Sequence, residues 1–140
     1  MKRRSANNSS GATVQKRTKR RPGVSRILAQ LRSQKVLLTD PGDIRVYLEK
    51  HTRLARHVPA ICERARAEFG PETELELKVC RDMESRDRTL ALLVRVLSYE
   101  ADFMNRIDRV SREFDDALYG ASGFIFLTSN FRPPRGSDGV

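Results

Sequence analysis

Tryptophan is absent from this 140-residue chain, aromatic residues make up 6% of it, and cysteine and histidine occur twice each. Each shortage removes a class of function. Cys62 and Cys80 have no Cys-x-x-Cys spacing, so neither a disulfide framework nor a zinc site is expected, and so small a count suits a reducing compartment. His51 and His57 are six positions apart, which does not place them on one helical face, so they form no metal pair. No nucleophile set and no phosphate-binding glycine loop stands out, and no cofactor or metal is expected. No apolar run approaches the roughly 18 residues a membrane helix needs, and the polar N-terminus lacks the apolar core of a secretory signal. The expectation is a soluble, intracellular, cytoplasmic protein with no membrane contact.

Negative charge is missing from one region. Residues 1–39 hold eleven of the 27 Lys and Arg residues and no acid, which leaves 16 bases against 18 acids, a net of −2, for residues 40–140. The basic character therefore belongs to an arm rather than to the domain surface.

Met1 to Gly23 is rich in Lys, Arg, Ser, Asn, Thr and Gly, and it has too few large apolar residues to offset its ordering entropy. It is expected to be disordered, and its removal to leave the melting temperature of the domain nearly unchanged. Lys16, Arg17, Lys19, Arg20 and Arg21 suit phosphate contacts by counterion release or, in a eukaryote, a nuclear address; a solubilising role is the plainer reading. A translation start further downstream would leave the arm unmade. Ile27, Leu28 and Leu31 then suggest a short basic amphipathic helix within 24–36, too short to stand alone. The division expected is an arm over 1–39, one domain over 40–135 and a tail over 136–140.

Asp40 or Asp43 can cap the next helix, expected over 43–57, whose face carries Ile44, Tyr47, Leu48, His51, Leu54, Ala55 and Val58. Pro59 is expected to end it or to begin a second helix over 59–69, closed by Gly70-Pro71. Leu75, Leu77 and Val79 alternate with Glu74, Glu76 and Lys78, the pattern of a half-exposed strand over 74–81. A second strand over 89–97 is different, because Ala91, Leu93 and Leu97 add apolar groups to the face opposite Leu90, Leu92, Val94 and Val96, around the single charge of Arg95. Such a strand is central, covered on both sides, or part of an interface. Arg95, once buried, needs a carboxylate, with Asp82, Asp87 and Glu76 the nearest candidates. The connector Arg81–Arg88 lacks the glycine and ligand ladder of a calcium loop and reads as a solvated hairpin loop. A helix over 101–119 and a strand over 123–129 follow, and the two prolines after Phe131-Arg132 end the sheet. Together these elements imply an α+β fold with a small mixed three-stranded sheet, strand 89–97 at its centre and parallel to the last strand, with the order that puts strand 75–80 at the centre, as in a split crossover, left open.

The pattern Phe69-Gly70, Glu74-Leu-Glu-Leu77, Arg81-Asp82, Leu92-Leu-Val-Arg95, Ser122-Gly123 and Phe131-Arg-Pro-Pro-Arg135 resembles a group of small bacterial proteins with no established activity. Some members look like one half of a two-gene pair, and this resemblance implies a protein partner, such as an antitoxin-like protein. Three functions follow as expectations. The first is a non-enzymatic interaction protein, binding a partner or its own copy through Ala91, Leu93, Arg95, Leu97, Phe131 and Arg132. The second is nucleic-acid binding through the arm. The third is an enzyme, which would require Asp82, Asp87, Arg95 and Arg132 to converge in one pocket.

Overall fold

A computed structural model describes residues 23–135, and the elements run α1 (Val24–Ser33), β1 (Leu37–Leu38), α2 (Pro41–Lys50), α3 (Thr52–Phe69), β2 (Glu74–Arg81), β3 (Arg88–Arg95), α4 (Phe103–Arg112), α5 (Asp115–Leu118) and β4 (Ile125–Thr128). Of the arm expected over 1–39, residues 1–22 lie outside the described residues, as does the tail over 136–140, while α1 and β1 lie within them. The fold is α+β, but its mixed sheet has four strands, in the order β1-β2-β3-β4, where the sequence suggested three. The added strand is Leu37–Leu38, which pairs parallel with Glu76 and Leu77. Lys35 adopts a left-handed conformation (φ 63°) that ends α1, and the chain then runs along the edge of β2.

α1 belongs to the folded layer. Its Ile27, Leu28 and Leu31 are buried in the core with residues of α2 and α3, a gross hydrophobic contribution of about 6 kcal/mol for three such side chains. Asp40 (φ 52°) precedes Pro41, the first residue of α2, and accepts through its carbonyl the first backbone bonds, from Asp43 and Ile44. The break expected at Pro59 falls instead at His51, whose non-helical backbone (φ −129°, ψ 64°) separates α2 from α3 while Pro59 sits inside α3. A proline ring presses on the carbonyl four residues back, and Ala55, which stands there, adds no bulk of its own. The helix expected over 101–119 divides likewise, because Phe114 leaves helical geometry between α4 and α5.

β2 and β3 form a hairpin with Glu74 opposite Arg95 and Arg81 opposite Arg88. β3 is central and parallel to β4, in the arrangement expected for these strands. It stops at Arg95 and does not reach Leu97, since its partner Glu74 is already the first residue of β2. Leu75, Leu77, Leu90, Leu92, Val94, Ile125 and Leu127 share one sheet face, and the buried helix residues join them in one cluster. Ala91 and Leu93, on the opposite face, are buried yet lie outside that cluster. Among the described residues, the helices thus cover one side of the sheet only.

Candidate functional site

The helix-free face carries Leu37, Glu74, Glu76, Lys78, Ala91, Leu93, Arg95 and Phe126 by strand register. At one end an ion network closes it. Arg95 is 5% exposed; its Nη1 donates to Glu74 Oε2 and its Nη2 to Glu76 Oε1, both at 2.6 Å, and its Nε donates to Asn130 Oδ1 at 3.2 Å. The fork of a guanidinium matches two carboxylates set two residues apart on one strand face. Thr39 Oγ1 donates to Glu76 Oε2, and Arg135 donates its backbone N–H to Glu74 Oε1 (2.7 Å) and Nη2 to Glu76 Oε1 (3.3 Å). Burial opposes ionisation of Glu76, but the bonds from Thr39 and Arg95 outweigh it and hold its carboxyl below the usual range. Burial likewise disfavours the charge on Arg95, and Glu76 and Glu74 overcome that and raise its pKa.

Residues 130–135 therefore form a strap clamped to the end of the sheet. Phe131, at φ 60°, sets its ring against Tyr99 (5.2 Å between centroids) and Phe103 (5.8 Å), and its N–H donates to Ser129 Oγ at 3.0 Å. The Tyr99 hydroxyl donates to the carbonyl of Arg132. β4 has already ended at Thr128, five residues before the first of the two prolines, and these contacts turn the chain back over the Arg95 network.

Of the residues singled out from sequence, Arg95, Phe131 and Arg132 meet at this strap, and Ala91 and Leu93 lie beside it on the same face. Leu97 does not join them: it is 58% exposed, beyond the end of β3. Ala91 and Leu93 are nearly closed off by their neighbours, at 1% and 9% exposure, so the open apolar surface falls instead on Phe131 (55%) and on Phe124 (59%), which stacks on the half-buried Phe126. Lys16, Arg17, Lys19, Arg20 and Arg21 lie outside the described residues. Asp82 and Asp87 sit in the exposed hairpin loop at the far end of β3 from Arg95, about 25 Å away at strand rise, so the four groups an enzyme would need do not meet. Asp82 instead accepts the backbone N–H groups of Glu84 and Ser85, which lower its pKa. Glu74, Thr39, Asn130 and Arg135 were missed as site residues, although Glu74 and Glu76 share the alternation phase that puts them on the face of Arg95.

Compared with protein-family models, curated proteins and solved structures, the chain matches none. What the site can do is therefore argued from its chemistry. Both carboxylates on the face are paired, whereas Lys78 and the side chain of Arg132 have no carboxylate partner among the described residues. The face offers apolar rings and spare positive charge.

Proposed function

We propose that this protein is a non-enzymatic interaction module whose helix-free sheet face binds another protein, one that presents an apolar surface flanked by carboxylates. The observation that carries this reading is a four-stranded sheet covered, among the described residues, by helices on one side only, with the exposed Phe124 stacked on the half-buried Phe126 at its β4 edge. β4 adds an edge free of charged residues, Ile125-Phe-Leu-Thr128, suited to pairing with a partner strand. Charge decides the partner's character. Glu74 and Glu76 are neutralised in place, so Lys78 and Arg132 are left to meet acids, and a second copy of this face would oppose lysine with lysine.

Sedimentation of the purified chain, and photo-crosslinking from position 126 in its own host cells with mass-spectrometric identification, test the reading. A monomer is expected alone, together with one crosslinked partner whose capture is lost in Leu93→Glu and weakened in Lys78→Glu but kept in Arg109→Glu on the helix side. A homodimer dissolved by Leu93→Glu, or the same captured proteins from parent and variants, overturns it.

A further inference from the structure

A cleft lies at the end of the sheet away from Arg95, where the C-terminal end of α2, the β2–β3 loop and the turn before β4 border about 560 Å³, within the size range of small-ligand sites. Lys50, Arg86 and Arg88 line it, and none of the three has a carboxylate at ion-pair distance among the described residues. Asp87 is the one acid in the wall, which leaves a net of two positive charges.

The wall is built as well as charged. Arg86 adopts φ 65°, uncommon for a residue with a side chain, and is held there by its N–H bond to the Asp82 carbonyl at 2.8 Å, beside the Asp82 N–H bond to the Asp87 carbonyl, also at 2.8 Å. His51 forms the floor with Nδ1 2.8 Å from Ser122 Oγ, and Gly123 passes so close that a Cβ there would stand 2.7 Å from the ring. His51 Nε2 has no protein partner among the described residues.

We infer that the cleft bounded by Lys50, His51, Arg86 and Arg88 binds a phosphate group. Two guanidinium forks with an ammonium suit a doubly charged tetrahedral anion better than a single carboxylate. Such a phosphate can come from a free nucleotide or from the backbone of a nucleic acid, and the two sources differ in which probe binds.

The test uses the full chain with a labelled oligothymidylate read by anisotropy, and with inorganic phosphate and adenosine monophosphate read by calorimetry. A double change, Lys50→Glu with Arg88→Glu, should weaken oligonucleotide binding at least tenfold at unchanged melting temperature. It should also flatten the slope of log affinity against log salt by about 1.4, the value for two phosphate contacts on a single strand. Loss of phosphate and nucleotide binding in the double variant, with no oligonucleotide binding by the parent, keeps the site and assigns it to a free phosphate. Parent-like affinity of the double variant for the probes that bind, or no binding of any probe to the parent, overturns the inference.

Discussion

Replacing Arg95 by methionine keeps an unbranched, shorter apolar stem and removes the charge, leaving Glu74 and Glu76 on one strand face without the guanidinium that bridges them. Removing one partner of a buried ion pair costs about 3–5 kcal/mol, because the remaining charge is stranded away from water. Thr39 and Arg135 still bond to Glu76, although the Arg135 side chain is 63% exposed and screened, so the lower end, about 3 kcal/mol, is expected. At about 4 °C per kcal/mol for a domain of this size, the melting temperature falls by roughly 12 °C. With no tryptophan in the chain, urea unfolding is best followed by far-ultraviolet circular dichroism. Adding Glu74→Gln and Glu76→Gln should restore most of the loss, since amides are far cheaper to bury than unpaired carboxylates. The pH dependence supplies a second readout. The folded pKa of Glu76 lies below its ordinary value of 4.5, so the stability it contributes is present above that value and is lost as the pH falls through the folded one. In the methionine variant Glu76 loses the bond from Arg95 that holds its pKa down and protonates more readily, and the gap from the parent narrows as the solution is acidified from pH 7. A loss under about 1 kcal/mol at pH 7, or a gap indifferent to pH, would refute the reasoning, because either requires an Arg95 that faces water.

Three further outcomes are expected. Leu31→Ala should cost about 2–5 kcal/mol in chemical denaturation, since Leu31 is fully buried between α1 and the rest of the core, whereas a helix merely attached as an arm would tolerate it. Gly123→Ala should destabilise by about 2 kcal/mol or more, because φ +81° is unfavourable for a side chain and the new methyl would meet the His51 ring; adding His51→Ala should recover part of the loss. In a thiol titration of the native protein at pH 8, Cys80 should react first and Cys62 only on unfolding, because burial pushes the Cys62 thiol up to about 12 against the smaller pull of Arg66.

The elements with strong periodicity were legible from residues alone. Strand 74–81 matches β2 because strict alternation of Leu75, Leu77 and Val79 with Glu74, Glu76 and Lys78 admits only one period. β1 was not legible, since two residues of strand carry no period, and Val36-Leu37-Leu38 continues the apolar content of the helix before it. The position of the helix break was decided by packing rather than by proline: His51 turns the chain so that Tyr47 and Leu48 on α2 and Leu54 and Ala55 on α3 all reach the core.

The partner of Arg95 shows where sequence reasoning lost its way and how little it lacked. Asp82 and Asp87 are close to Arg95 along the chain, but in a hairpin closeness along the chain is not closeness in space; register decides. Pairing Arg81 with Arg88 across the connector fixes every later pair, and counting seven residues outward along each strand sets Arg95 opposite Glu74. Glu76 follows on the same face one alternation later, while Asp82 and Asp87 remain with the turn. The hairpin that carries the two acids of the loop away from Arg95 thus brings two others to it, and the strap of residues 130–135 closes over that pair because Arg135 finds both carboxylates there. Ending the chain before Asn130 would remove Arg135 and Asn130 Oδ1 together, which makes the strap part of the charge balance of the sheet face.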